Sequence, residues 1–342
     1  MNLDIYNSGI SKVLNKNHYE ELKNTSILII GGNGLIGAAV IDVLKYMNES
    51  LNYNISIYVT VRNSVKLPER FKDNKNINVI EYDVLNKLEL NDKIDFVINT
   101  ASPADPKSFS TNPIGVIETN FIGTMNVLDY CVNNNIKRFL YVSSGEVYGQ
   151  AVEEISSFDE NYSGKIDSTS FRSCYPLGKL SAETLCACYK EQKGLDVVIA
   201  RPCHTYGPTI QRSDSRASSQ FIMNVVDGED IVMKSEGKQV RSYCYSLDCA
   251  TGLLRILVSG VNGEAYNVAN NNSIVSIREL AETISKCGNR KVVFEIPDEQ
   301  EKKGYNPVTR SVLNGEKLNK LGWNPCYDIH AGVKETIDVL KG

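Results

Sequence analysis

The sequence predicts an α/β protein built on a doubly wound parallel sheet, with a smaller, discontinuous C-terminal lobe. Over about the first two-thirds of the 342 residues, short β-branched runs alternate with longer segments of helical periodicity. That alternation is typical of a parallel sheet covered by helices on both faces. A glycine-rich turn follows the first apolar run, and after about residue 203 the alternation becomes irregular. The regular part therefore predicts one main sheet, and the irregular part predicts the second lobe.

Each predicted strand is apolar almost throughout, as expected for strands that are buried on both faces. The helical segments carry apolar residues at three- and four-residue spacing, which indicates helices with one apolar face. The predicted strands cover residues 26–30, 55–61, 77–82, 95–101, 138–143 and 196–201. The two clearest helices cover 114–134, with Ile117, Phe121, Met125 and Leu128, and 175–192, with Leu177, Leu180, Leu185 and Tyr189.

Composition excludes several classes of protein. A net charge of −4 and a pI near 5.6 argue against a nucleic-acid binder or a basic membrane-surface protein. The chain has no run of eighteen apolar residues, and its N-terminus lacks the order of a signal peptide. Nine scattered cysteines without a CxxC pair, and only three histidines, predict reduced thiols and no metal site. We therefore expect a cytoplasmic enzyme that acts on small molecules.

The segment IIGGNGLIG predicts a dinucleotide site. Gly31, Gly34 and Gly37 form a GxxGxxG pattern between the first strand and the following helix. Missing side chains at such a turn let a pyrophosphate approach backbone N–H groups and the positive end of the helix. Asn33, Leu35 and Ile36 lie within the same turn and are included in the predicted contacts.

The turn also predicts the domain organisation. Residues 25–203 are expected to form a Rossmann-like domain, and residues 1–24 an N-terminal extension. Residues 204–342 are expected to form a mainly substrate-binding lobe, parts of which return to the first domain.

Arg62 indicates which dinucleotide is bound. An NAD site usually carries an acidic residue at the end of the second strand, whereas this strand ends in VTVRN. An arginine there suits a 2′-phosphate, so NADP is favoured over NAD, although a solvated arginine would look the same in the sequence. Asp83 and Val84 after the third strand, and Ala101 and Ser102 after the fourth, complete the predicted cofactor contacts.

Tyr175 and Lys179 are spaced four residues apart and share one helix face, so the lysine can lower the pKa of the tyrosine. Ser144 leaves the fifth strand about thirty residues earlier. This set predicts an acid/base site in which Ser144 orients a hydroxyl, Tyr175 removes its proton, and Lys179 tunes Tyr175 and holds the nicotinamide ribose.

The segments ASPADP, TNFIGTMNVL, SSGEVYG, SCYPLGK, ARPCHTYGP and KQVRSYCY extend this pattern. With the glycine-rich turn they make the chain, from about residue 25 to 340, resemble the extended short-chain dehydrogenase/reductases that modify nucleotide sugars. Within that group the chain is most similar to the UDP-glucuronate decarboxylases. The resemblance implies a tightly held nicotinamide cofactor, oxidation of the sugar at C4, a nucleotide-diphosphate sugar substrate and a homodimer formed by a helix bundle.

The resemblance also assigns site residues. Ser144, Glu146, Tyr175 and Lys179 fall on the catalytic positions of the family, and Ser144 and Glu146 are expected to contact the sugar. His204, Arg216 and Arg241 fall where the family binds the nucleotide diphosphate and the reacting sugar, a role that suits arginine.

Departures from the family pattern keep several reactions open. Gly145 stands where decarboxylases have a hydroxyl and dehydratases an acid, His204 replaces an asparagine, and Pro176 and Leu177 replace an acidic pair. The leading prediction is C4 oxidation followed by chemistry near C5 that involves Glu146, as in UDP-glucuronate decarboxylation. The alternatives are NADPH-dependent reduction of a 4-keto sugar, 4-epimerisation or 4,6-dehydration, and a cofactor-binding regulatory or scaffold protein.

Overall fold

The computed structural model describes residues 1–72, 74–295 and 309–342. A seven-stranded parallel sheet forms the centre, and smaller sheets form beside it from the later part of the chain. In the described residues the strands are β1 (Ser26–Ile30), β2 (Ser56–Val61), β3 (Ile77–Glu81), β4 (Phe96–Asn99), β5 (Arg138–Val142), β6 (Val197–Pro202), β7 (His204–Tyr206), β8 (Ile231–Met233), β9 (Val240–Tyr245), β10 (Ala265–Val268), β11 (Ile274–Ser276), β12 (Val292–Phe294) and β13 (Arg310–Ser311). The helices are α1 (Leu3–Lys16), α2 (Leu35–Leu51), α3 (Pro106–Thr111), α4 (Pro113–Asn133), α5 (Cys174–Lys193), α6 (Ala217–Val226), α7 (Ser246–Ser259), α8 (Ile277–Cys287), α9 (Glu316–Lys320) and α10 (Ile329–Lys341).

The central sheet has the order β10-β6-β5-β4-β1-β2-β3, and all its neighbouring strands are parallel. The six strands predicted from apolar runs are all present, within two residues of the expected bounds. The seventh, β10, comes from the C-terminal part of the chain and pairs with β6. The strand order reverses between β1 and β4, because the chain runs from β1 to β2 on one side and from β4 to β5 on the other. A crevice forms where these two connections separate, at the carboxyl ends of the strands.

The N-terminal extension is an ordered helix. Asn2 caps α1 by accepting hydrogen bonds from the backbone N–H groups of Asp4 and Ile5, and one face of the helix is buried against α2, α7 and α10. Its Tyr6 hydroxyl donates to Asp42 of α2 at 3.1 Å. Arg70 donates to both oxygens of the same carboxylate, at 2.8 and 2.9 Å. The extension is therefore part of the core, which the sequence analysis did not anticipate.

After residue 203 the chain builds the second lobe and also returns to the first. Strand β9 pairs with β7, β11 and β13, while β8 pairs with β12. Helix α7 packs against β5, β6 and α2, so it belongs to the layer that covers the main sheet. The segment 204–219 begins with β7, and α6 starts at Ala217.

Three further observations concern membrane-spanning helices, cysteines and metal sites. Among the helices of the described ranges, none is long and apolar enough to cross a bilayer. The nine cysteines are all present as free thiols, and most are buried. In the same ranges no cluster of three or more histidine, cysteine or acidic side chains is arranged to hold a metal ion.

Candidate active site

The glycine-rich turn has the shape that a pyrophosphate requires. Gly31 has a φ of +88°, and a Cβ added there would lie 2.9 Å from the Cα atom of Ala101. A Cβ at Gly37 would lie 2.6 Å from the carbonyl oxygen of Gly31. Gly34 is the N-cap of α2 and provides no side chain to bind the first N–H groups of the helix. These N–H groups can therefore bind an anion, and the turn fits a dinucleotide.

The other predicted cofactor residues lie along the same edge of the sheet. Arg62 follows β2 and is exposed, and Val84 follows β3 and is buried. Asp83 accepts a hydrogen bond from the backbone N–H of Leu85 at 3.1 Å, which shapes the turn after β3. The Ser102 hydroxyl, after β4, donates to Asn120 at 2.9 Å. Asn33, Leu35, Ile36 and Ala101 come from the turns after β1 and β4 that adjoin them.

Lys179 lies buried beneath the predicted reaction centre. Its ammonium group donates to the carbonyl oxygen of Val142 at 2.7 Å and lies 4.9 Å from the ring centroid of Tyr141. It is 5.9 Å from the ring centroid of Tyr175, so the predicted proximity on one helix face is present. Burial lowers the pKa of Lys179 to about 7, and the carboxylate of Glu183 partly opposes this shift.

The electrostatics of Tyr175 differ from the sequence-based expectation. Burial, and then the nearby Glu146 carboxylate, raise the pKa of the Tyr175 phenol to about 12, although the Ser144 hydroxyl, Arg216 and Arg172 lower it. A net lowering of the Tyr175 pKa is therefore absent in the protein by itself, and the role of Lys179 in tuning Tyr175 stays a prediction. The physical reason is that burial of the phenol itself has the largest effect and outweighs the groups that lower its pKa.

Glu146 is paired with Arg172, a residue to which the sequence analysis gave no role. The guanidinium lies 3.1 and 3.2 Å from the two carboxylate oxygens. Arg172 also lies 4.5 Å from the ring centroid of Phe109, which stacks on Tyr175 with 4.7 Å between ring centroids. In the sequence, the segment RSCY places an arginine three residues before Tyr175, but its spacing does not connect that arginine with Glu146.

The three predicted diphosphate residues come together from three segments. Burial, and then the charges of Arg241 and Arg216, lower the pKa of His204 to about 3, so its ring is neutral. The ring Nδ1 atom is buried, and it has no hydrogen-bond partner among the described residues. Arg216 is oriented by Asp214, whose carboxylate accepts from Nε and Nη2 at 3.0 and 2.5 Å. The Glu146 charge acts on Arg241, so this cluster adjoins the reaction centre.

Gly145 is enclosed by the core. A Cβ there would lie 2.9 Å from one δ-carbon of Leu313 and 3.0 Å from the other. The missing side chain, which the sequence analysis connected with the reaction type, therefore leaves no open space, because Leu313 fills it.

Comparison with known proteins agrees with this geometry. The family model described as NAD dependent epimerase/dehydratase family matches residues 27–269. The chain belongs to that family. UDP-glucuronic acid decarboxylase 3 of Arabidopsis thaliana is 32% identical over 314 residues, which are 91% of this chain and 87% of the relative. UDP-glucuronic acid decarboxylase 1 of Xenopus tropicalis is 30% identical over 318 residues, covering 92% of this chain and 72% of the relative.

Solved structures of a sugar-nucleotide epimerase and a sugar-nucleotide dehydratase share the fold. A UDP-glucose 4-epimerase of Thermotoga maritima, in complex with UDP-glucose, superposes with a TM-score of 0.78 at 21% identity, covering 92% of this chain and 98% of that one. A dTDP-glucose 4,6-dehydratase of Streptomyces venezuelae, with NAD bound, gives 0.77 at 22% identity, covering 92% and 96%. These comparisons confirm the predicted fold, the nicotinamide cofactor and the resemblance to nucleotide-sugar enzymes of the extended short-chain type.

Proposed function

We propose that this protein oxidises a nucleotide-diphosphate sugar at C4 and then acts at C5, with UDP-glucuronate decarboxylation as the net reaction. The observation that carries the proposal is the pairing of Glu146 with Arg172 beside Tyr175. Both side chains are about one-third exposed, so the ion pair is weak and a ligand can replace either partner. Relatives of about 30% identity named UDP-glucuronic acid decarboxylase support the same substrate.

The first stage is assigned to Ser144, Tyr175 and Lys179. Ser144 orients the C4 hydroxyl, Tyr175 accepts its proton, and Lys179 binds the nicotinamide ribose and supplies a positive charge below the phenol. When bound, the oxidised nicotinamide supplies the hydride acceptor and a second positive charge. Since the Tyr175 phenol has a pKa of about 12 in the protein by itself, added positive charge is needed before it can act as a base near neutrality.

The second stage is assigned to Glu146 and Arg172. A ketone at C4 makes a C5 carboxylate a β-keto acid, in which the C5–C6 bond breaks, carbon dioxide leaves and the electron pair moves into the C4 carbonyl. Arg172 already holds a carboxylate in this structure, so it is suited to hold the carboxylate of the substrate. Once Arg172 binds the substrate carboxylate, Glu146 is free to transfer the proton that C5 then takes up.

Substrate anchoring is assigned to His204, Arg216 and Arg241 of the C-terminal lobe. The two arginines provide charge-assisted hydrogen bonds to the diphosphate. His204 is neutral and its Nδ1 atom has no described partner, so it provides a polar contact without an added charge. The lobe formed mainly by residues 204–342 is thus proposed to bind the nucleotide sugar against the dinucleotide-binding domain over 25–203.

A product-mass experiment tests the proposed reaction. Cofactor is first released from the protein by denaturation and identified, and fresh enzyme is then incubated with UDP-, dTDP-, CDP- and GDP-sugars, including UDP-glucuronate. We expect UDP-glucuronate to lose the mass of carbon dioxide. Loss of water, gain of two hydrogens or an epimer of unchanged mass, with no reaction of UDP-glucuronate, would overturn the decarboxylase assignment.

Reduction of a 4-keto sugar nucleotide by external NADPH is the second candidate. The exposed position of Arg62 at the end of β2 favours it, because a 2′-phosphate could reach this guanidinium from solvent. The enclosed Gly145 also leaves no added hydroxyl or acid beside Ser144. In the product-mass experiment, this candidate requires a gain of two hydrogens by a 4-keto substrate and consumption of added NADPH.

A homodimer is proposed from the outer face of α4. Ile114, Ile117, Phe121 and Ile122 of this helix are exposed, and α4 packs lengthwise on α5. Of the apolar residues predicted to share one face of this helix, Leu128 is buried in the core, whereas Ile117 and Phe121 are exposed. Two copies of this helix pair would bury the exposed residues in a helix bundle. A cytoplasmic location is proposed from the nine free thiols.

A further inference from the structure

The segment from Gly207 to Arg216, here called the strap, crosses from β7 to α6 and contacts the glycine-rich turn. Its Thr209 hydroxyl donates to the carbonyl oxygen of Leu35 at 2.8 Å, and this contact is buried. The side-chain amide of Gln211 donates to the carbonyl oxygen of Asn33 at 2.6 Å. Both acceptors belong to the turn whose N–H groups are predicted to bind the pyrophosphate, so the strap holds this turn from its carbonyl side.

The opposite end of the strap is fixed to the start of α3, the helix whose Phe109 stacks on Tyr175. The hydroxyl of Ser215 donates to Asp105 at 3.0 Å and accepts from the backbone N–H of Lys107 at 3.2 Å. Asp214 accepts from the Arg216 guanidinium and from the Ser219 hydroxyl, the latter at 2.9 Å. The strap therefore connects a predicted cofactor turn with a predicted diphosphate ligand, Arg216, within ten residues of chain.

We propose that Thr209 and Gln211 are positioning residues through which the strap couples the two ligands, so that a nucleotide diphosphate bound at Arg216 slows release of the nicotinamide dinucleotide. This inference rests on the proposed function for the identity of the diphosphate. A ligand that restrains Arg216 restricts the strap and stabilises its bonds to the turn. If the bound diphosphate also raises the equilibrium affinity for the dinucleotide, the bound dinucleotide raises the affinity for the diphosphate by the same factor.

Such coupling suits an enzyme that must return the hydride to the sugar from which it came. Release of the reduced dinucleotide between the two stages would leave a ketone without its reductant. A strap that tightens while the sugar nucleotide is bound prevents that loss, and it loosens again when the product leaves.

Displacement kinetics test the coupling in the full-length protein. Holoenzyme loaded with reduced nicotinamide dinucleotide is mixed with excess oxidised dinucleotide, and the loss of bound-nicotinamide fluorescence is followed with and without UDP. In the unmodified protein UDP should slow release. Thr209→Val and Gln211→Glu should each speed release about 3- to 10-fold, the range of one lost hydrogen bond, and should reduce the effect of UDP.

Arg212→Ala is the matched control. Arg212 belongs to the strap, but its guanidinium pairs with Asp227 at the end of α6, at 2.7 and 2.9 Å. This variant should release the dinucleotide at the unmodified rate and keep the effect of UDP. Thermal unfolding of all three variants checks that the fold is intact.

The outcomes separate this inference from the proposed function. If calorimetry shows UDP binding while UDP leaves dinucleotide release unchanged, the coupling is overturned and the uridine site stands. If UDP does not bind, the proposed substrate fails, and release from Thr209→Val and Gln211→Glu without UDP decides the positioning role: faster release supports it and unchanged release overturns it.

Discussion

At residue scale, the Leu313 side chain occupies the space that a side chain at position 145 would need. A Cβ at position 145 would lie 2.9 and 3.0 Å from the two δ-carbons of Leu313, which is closer than van der Waals contact. We therefore expect Gly145→Ser to lower the free energy of unfolding by about 1–3 kcal/mol. The cost should shrink in a Leu313→Ala background, measured by urea unfolding as a double-mutant cycle. Gly34→Ser is the control, since its Cβ would approach only the Gly31 carbonyl oxygen, at 3.5 Å. An equal cost in both backgrounds would show that Leu313 is not the obstacle.

Arg62 provides a prediction about the cofactor. We expect NADP(H) to bind at least as tightly as NAD(H), and Arg62→Asp to weaken NADP(H) by about 10- to 100-fold relative to NAD(H), because a charge-assisted bond to the 2′-phosphate becomes a repulsion. Fluorescence titration measures both affinities. Lys72→Asp carries the same charge change on the same connection, where the lysine instead pairs with Glu69. A strong NAD preference in the unmodified protein would contradict this prediction and leave the two-stage chemistry unaffected.

The residues with a fixed local spacing could be predicted from the sequence, and those defined by tertiary contacts could not. Tyr175 and Lys179 share a helix face wherever the helix packs, so their spacing alone was informative. Arg172 meets Glu146 across 26 positions of sequence, and Phe109 reaches Tyr175 from a separate helix. The pKa of Tyr175 could not be predicted either, because burial decides it and burial belongs to the folded chain.

At the scale of elements, β1, β4, β5 and β6 of the main sheet were recognisable because they are buried on both faces. The edge strand β3 was predicted from the same kind of apolar run, although most of it is exposed. Helix α1 was missed because the segment is polar overall, although Tyr6, Ile10, Val13 and Leu14 recur at helical spacing. Strand β10 was missed because four residues carry too little pattern, and its place beside β6 is fixed by pairing far along the chain. Short strands of this kind depend on tertiary context more than on their own sequence.

Helix α7 provides a test of pH dependence. Asp248, in its first turn, accepts from the backbone N–H groups of Cys326 and Tyr327, and burial raises its pKa to about 7. The folded state thus binds a proton that the unfolded state releases near pH 4, so this group reduces stability as pH rises from about 4 to 7. We expect Asp248→Asn to be less stable than the unmodified protein by a larger amount at pH 5 than at pH 8, because the unmodified protein itself loses stability over this range. Urea unfolding at both values measures this, and a pH-independent difference would contradict it.

At the scale of the whole molecule, the outward apolar face of α4 predicts the assembly. Ile117→Lys places a charge at the centre of the proposed dimer interface, so it should convert the dimer into a monomer in sedimentation equilibrium. Val261→Lys is the control, because Val261 is also exposed but lies in the turn after α7. Unchanged dimer in the Ile117→Lys variant, or a monomeric unmodified protein, would show that this face is not the interface.

The central claim is that one site performs two chemical stages with different residues, and single-turnover absorbance at the nicotinamide band tests it most directly. With the substrate found in the product-mass experiment, Glu146→Gln should still oxidise C4 and then stall, so that absorbance of reduced nicotinamide persists and little product forms. Tyr175→Phe should show no absorbance change, and Glu153→Gln, the same substitution at an exposed residue of the following loop, should behave as the unmodified protein. If Glu146→Gln oxidises C4 and yields product at unmodified rates, Glu146 is structural and the second stage is wrongly assigned.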